Sequence, residues 1–178
     1  PIPAKQERRY AEKGVDAFRG QARFLDPETI EVAGSRLTAK HILIATGAQP
    51  VSLDIPGEDL ISHSDDFLEL EKLPARIVLI GGGYIAAEFS HLAARAGAQV
   101  AIVQRGPRLL PHFDPDLVGW LMPRFTELGV GVHTDSTVTG VERDADALLV
   151  RAVCRDGSEL ILPGDLVVHA AGRVPALH

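Results

Sequence analysis

The apolar positions change their period along the chain, and the change marks where elements begin and end. Residues 1–13 are polar and suit the end of a helix. Ala22 to Phe24 and Thr29 to Val32 alternate as short strands do, with Asp26-Pro27 as the turn between them. His41 to Ala45 (HILIA) is a continuous apolar run stopped by Thr46-Gly47, which predicts a buried strand ending in a tight turn. Residues 50–74 mix proline, glycine and acids. They predict a connecting segment with a short helix near Ser64 to Leu70, capped by Ser64 or Asp65.

From Arg76 the pattern is different. Ile77 to Ile80 has no polar alternation, so both faces of this strand should be covered, as in a parallel sheet. Three glycines follow, then a helix from Tyr84 to Arg95 ended by Gly97, then a strand from Val100 to Val103. That is a βαβ unit. Asp114-Pro115 predicts an N-cap with proline in the first helical position. Leu117, Trp120, Leu121, Phe125 and Leu128 recur at helical spacing, and Pro123 should interrupt and kink that helix. Gly131 to His133 is a further short strand. Thr137 to Val141, Leu148 to Cys154 and Glu159 to Leu162 predict a meander of hairpins, and Leu166 to Ala170 a last apolar strand. The fold class is therefore α/β: a Rossmann-like domain with a parallel sheet and a β-meander.

Composition changes this picture little. The 178 residues are 46% hydrophobic and 24% charged, which allows one good core. A net charge of −6 argues against a nucleic-acid or membrane-surface partner. The opening residues carry no apolar leader, and one cysteine rules out an intrachain disulfide, which fits a reducing cytoplasm. The seven histidines show no metal-ligand spacing, so no metal site is expected. The chain starts at Pro1 and has Met122 as its only methionine, which leads us to expect a piece of something longer.

The candidate chemistry lies in IVLIGGGYIAAEFSHLA, residues 77–93. Gly81, Gly83 and Ala86 match G-x-G-x-x-[GA] directly after a strand and at the opening of a helix. The first glycine makes the turn, the second lets backbone approach a pyrophosphate, and the alanine lets helix and strand pack closely. The helix N-terminus offers unpaired N–H groups and a positive dipole end. Gly82, Tyr84 and Ile85 sit in the same turn. An acid at the end of the next strand would bind the ribose 2′-OH of NAD, but Gln104 stands there, followed by Arg105 and Arg108. Guanidinium groups suit a 2′-phosphate, so NADP(H) is favoured over NAD. Either arginine could instead simply solvate a loop.

IATGAQP (44–50), GGGYIAAE (81–88) and HAAGRVP (169–175), in that order, resemble the FAD- and NAD(P)-dependent disulfide oxidoreductases, the family of glutathione reductase, dihydrolipoamide dehydrogenase and mercuric reductase. The resemblance implies that residues 1–51 are a partial FAD-domain segment, 52–72 a linker, 73–172 the NAD(P)-binding domain and 173–178 the start of a return to the FAD domain. It implies that Thr46, Gly47, Ala171 and Gly172 lie near the cofactors. It further implies that Tyr84 covers the flavin and moves aside for nicotinamide, and that Glu88, one turn along, helps to position it. Inside an alanine-rich helix, Glu88 is expected not to be exposed. The family's first FAD fingerprint, its redox cysteine pair and its C-terminal dimerisation segment have no counterpart in these residues. Cys154 in an apolar run reads as a core residue rather than a nucleophile. The expected function is therefore the NADPH-binding part of a homodimeric flavoprotein that passes electrons to a disulfide. A related flavin enzyme without a cysteine pair, such as an NADH oxidase or ferredoxin reductase, and a stand-alone dinucleotide-binding module are the alternatives.

Overall fold

The computed structural model describes residues 2–177; Pro1 and His178 lie outside the described residues. The chain divides into two compact units, residues 1–46 and 47–178.

The first unit has a helix, α1 (Ile2–Glu12), and a three-stranded antiparallel meander, β1 (Ala22–Asp26), β2 (Thr29–Val32) and β3 (Ser35–Thr38). β3 was not foreseen from the sequence. Its hairpin turns at Ala33-Gly34, both with positive φ (49° and 80°), and pairs Val32 with Ser35. Two central residues with φ > 0 match the right-handed twist of the flanking strands. The strand expected at His41 to Ala45 does not form. Residues 41–47 have no regular structure, and Leu43 is 90% exposed. An apolar run becomes a strand only when a neighbour satisfies its backbone groups, and among the described residues none pairs with this one.

The second unit opens with β4 (Ala48–Pro50) and a single 3₁₀ turn (Glu58–Leu60). These are followed by α2 (Ser64–Leu68), β5 (Arg76–Ile80), α3 (Tyr84–Arg95), β6 (Gln99–Val103), α4 (Pro115–Glu127) and β7 (Gly131–His133). It continues through β8 (Ser136–Asp144), β9 (Ala147–Cys154), β10 (Glu159–Gly164), β11 (Leu166–His169) and β12 (Arg173–Pro175). β11, β5, β6 and β7 form a parallel sheet in that order, and β8 to β10 the antiparallel meander. β5 decides the layering. Ile77 and Leu79 face a cluster with Ala86, Phe89 and Ala93 of α3 and Val118 and Phe125 of α4. Val78 and Ile80 face a second cluster with Val141, Leu148 and Val150 of the meander. Helices, parallel sheet and meander thus make three layers, and the unbroken apolar pattern of β5 follows from burial on both faces.

Several local details differ from expectation. The N-cap of α2 is His63, whose N–H donates to the Asp66 carboxylate at 2.6 Å, rather than Ser64 or Asp65. Asp114 caps α4 as expected, accepting from the N–H groups of Asp116 and Leu117. α4 runs on through Pro123 without ending there. The Gly119 carbonyl that loses its partner lies on the exposed side, where water can serve it. Residues 52–72 are more than a tether: Ile61 is buried, and Leu53, Ile55 and Leu60 pack against the meander-side core. β12 pairs antiparallel with β4, so the entering and leaving segments of this unit are tied to each other.

Candidate dinucleotide site

The turn after β5 is held from both ends. The N–H of Gly81 donates to the Val103 carbonyl at 2.8 Å, and the N–H of Leu110 to the Gly82 carbonyl at 2.7 Å. Gly81 has φ +106°, and a Cβ there would lie 2.4 Å from the Ala170 carbonyl oxygen. Gly82 lies against Leu109 and the side chain of Gln104, with a virtual Cβ 2.7 and 2.9 Å away. Gly83 differs. It has ordinary backbone angles, and a Cβ would meet only the Ala170 oxygen at 3.7 Å. Packing therefore demands the first two glycines and does not demand the third, which looks out into open space.

That space is a cavity of about 850 Å³ at the carboxyl ends of β5, β6 and β11. Ligands in open α/β sheets bind outside these strand ends. Of the residues singled out from the sequence, Gly81, Gly82, Gly83, Tyr84, Ile85, Gln104, Arg105, Ala171 and Gly172 line it. Tyr84 stands 55% exposed at the start of α3, while Arg105 is exposed on the loop after β6.

Four candidates are not brought into the cavity. Arg108 points elsewhere: its guanidinium donates to the carbonyls of Pro111 (2.6 Å) and Phe113 (3.2 Å). Glu88 is exposed, against the expectation of a shielded acid. The reason is helical phase. Ala86, Phe89, Ser90 and Ala93 form the buried face of α3, and Tyr84, Glu88 and Leu92 lie on the opposite one. The one-turn relation of Tyr84 to Glu88 holds; the burial does not. Thr46 belongs to the first unit, and Gly47 (φ +80°) accepts at its carbonyl from the N–H of Ala176. Cys154 is half-buried rather than fully buried, with the Ser136 hydroxyl 3.6 Å from its sulfur.

Sequence reasoning missed other parts of the wall. Val51, Ser52, His112, Thr137 and Arg173 also line the cavity. Val51 is placed from two sides. Its N–H donates to the Gly172 carbonyl at 3.1 Å, and its own carbonyl lies 2.8 Å from Nε2 of His169. His169 is buried at the end of β11, with the His63 ring edge-on at 6.0 Å. Burial holds its pKa below the ordinary imidazole value, and the neighbouring His63 adds to this; the Val51 carbonyl and Glu58 oppose it. No spacing signal points to this histidine, because its partners come from residues more than a hundred positions away. Among the described residues, no group of three or more His, Cys, Asp or Glu could hold a metal, and no helix is long and apolar enough to cross a membrane.

Residues 3–178 match the family described as pyridine nucleotide-disulphide oxidoreductase. The chain belongs to this family. Mercuric reductase of Bacillus cereus is 36% identical over 164 residues, 91% of this chain and 26% of that protein. Glutathione reductase of Burkholderia cepacia is 37% identical over 161 residues, 90% of this chain and 35% of that one. Among solved structures, the HOCl-induced flavoprotein disulfide reductase RclA from Escherichia coli superposes with a TM-score of 0.82 at 28% identity, over 98% of this chain and 40% of RclA. The chain thus spans about a quarter to a third of the length of these curated relatives. The family match accounts for the mixed α/β architecture, parallel sheet and antiparallel strands together.

Proposed function

We propose that this chain is the pyridine-nucleotide-binding portion of a flavoprotein disulfide oxidoreductase, and that it takes NADPH in preference to NADH. The observation that carries the reading is Gly83. Nothing in the fold needs a bare backbone there, yet it faces the cavity at the N-terminus of α3. A pyrophosphate drawn to that helix end would come closest to the chain at this residue. The residues present therefore fit a dinucleotide. Gly81 and Gly82 hold the turn, and Gly83 with the first-turn N–H groups takes the phosphates. Arg105 faces the 2′-phosphate, its fork suited to that group. No acid stands at the end of β6 to prefer a free ribose hydroxyl.

When bound, reduced nicotinamide supplies a hydride. This chain's part is to orient it: Tyr84 shields the nicotinamide end of the cleft and must swing aside, and Glu88, one turn along the same exposed stripe, helps to position the nicotinamide at the cleft's edge. In the whole protein, FAD is the acceptor, with Ala171-Gly172 on the flavin side. A disulfide is the final substrate, and the assembly is a cytoplasmic homodimer. By this reading residues 1–51 and 173–178 belong to the FAD domain and 73–172 to the NAD(P) domain, with 52–72 between them.

Calorimetric titration of the purified chain with NADPH and NADH in parallel tests the proposal. NADPH should bind the more tightly, and R105A should bring its affinity down about tenfold, to that of NADH. Equal or tighter NADH binding would overturn the coenzyme assignment, and binding of neither would overturn the site.

A further inference from the structure

Gln104 stands at the strand end where the coenzyme's ribose is selected, yet both ends of its side-chain amide are bonded to the protein. Its Oε1 accepts from the N–H of Gly82 at 2.9 Å, and its Nε2 donates to the Arg108 carbonyl at 3.2 Å. The amide thus has one partner on each side. Its backbone is fixed as well: the N–H donates to the His133 carbonyl at 2.8 Å, and the carbonyl accepts from Ser136 at 3.1 Å. Gly82, which the dinucleotide fingerprint leaves free to be any residue, is bare where the Gln104 side chain lies on it. From Arg108 the chain of contacts continues. Its guanidinium clamps the carbonyls of Pro111 and Phe113, and the N–H of Leu110 returns to the Gly82 carbonyl. The circuit is closed, and Arg105 is the guanidinium it leaves on the cavity side.

We infer that Gln104 is a positioning residue for coenzyme choice. It joins the phosphate-binding turn to the 105–113 loop as one rigid piece and so holds Arg105 where a 2′-phosphate arrives. Arg108 belongs to the same brace rather than to the ligand shell. The discrimination between NADPH and NADH is then exerted by Arg105 and set by Gln104 through geometry, with no contact from Gln104 to the ribose. The inference rests on the proposal that the cavity binds a dinucleotide.

The test is a double-mutant cycle of Q104M and R105A, with NADPH and NADH titrated into each protein, together with amide exchange at Gly82 in the absence of nucleotide. Methionine keeps the length and the neutral charge and removes both hydrogen bonds. In the Arg105 background, Q104M should lower the NADPH:NADH affinity ratio about tenfold. In the R105A background it should leave the ratio unchanged. A fall of equal size in both backgrounds would mean that Gln104 reads the ribose directly, and no fall in either would mean that it does not set the choice; both overturn the inference. The exchange measurement stands apart from ligand binding. Gly82 should lose protection in Q104M, and unchanged protection would overturn the brace even if the parent chain bound neither dinucleotide. Should Q104M fail to fold, Q104E serves instead, because it keeps the acceptor for Gly82 while opposing an acceptor to the Arg108 carbonyl. Gly82 should then stay protected while the ratio falls in the Arg105 background, and a ratio left unchanged there would overturn the inference.

Discussion

His41 to Ala45 and Ile77 to Ile80 are two apolar runs of nearly the same composition, each halted by glycine, and they end up in opposite environments. The second is the centre of a parallel sheet, paired residue for residue with β6 on one side and β11 on the other. The first is irregular and exposed. Apolar content alone therefore does not make a strand. What separates the two runs is a supply of ladder partners and two covering layers, and β5 has both.

The contrast can be broken most severely at Gly81. G81A would force a Cβ to within 2.4 Å of the Ala170 carbonyl oxygen at φ +106°. It should cost at least about 3 kcal/mol, read as a lowered urea midpoint. The two runs can also be compared directly. L79A removes a side chain that is 0% exposed and should cost roughly 3 kcal/mol. L43A should change stability by less than about 0.5 kcal/mol. An equal loss at both positions would show that the first run is buried in solution after all.

How much of this was legible in the sequence follows the same division. Every element of the βαβ unit and the meander could be read, because their periods are set by burial within the unit itself. β3, β4 and β12 could not. They are three- and four-residue strands, and β4 and β12 pair across more than a hundred residues, so neither carries a period long enough to see. The glycine turn was legible because its requirement is local. The split between Arg105 and Arg108 was not, because it depends on which carbonyls a loop turns inward. Glu88 was misjudged because the alanine content of α3 gave its packing and not the phase of its faces.

The three consecutive glycines sharpen the contrast at smaller scale, between backbone bare for the fold and backbone bare for a ligand. G83A should leave stability within about 0.5 kcal/mol, since its Cβ would find only ordinary contact. It should nevertheless weaken dinucleotide affinity at least about tenfold by standing where the pyrophosphate approaches. Titration and denaturation of the same protein read both numbers. A stability loss with unchanged binding would reverse the assignment.

The smallest effect concerns the histidines of the second unit whose pKa burial lowers. In the second unit, buried His169 holds Val51 and is kept below its ordinary pKa mainly by desolvation, with His63 and Glu58 as the titratable groups facing it. In the unfolded chain the same imidazole titrates near 6.5. Between that value and the lower folded one, the unfolded state binds more protons, so stability rises with pH. The contribution is complete above about pH 6.5 and is lost as pH falls through the folded pKa. His133, whose pKa is also lowered by burial, adds in the same direction. Part of the fall in urea midpoint on acidification should therefore vanish in H169N. A profile unchanged in H169N would show that the His169 imidazole takes up its proton equally in the folded and the unfolded chain, and so that burial does not lower its pKa.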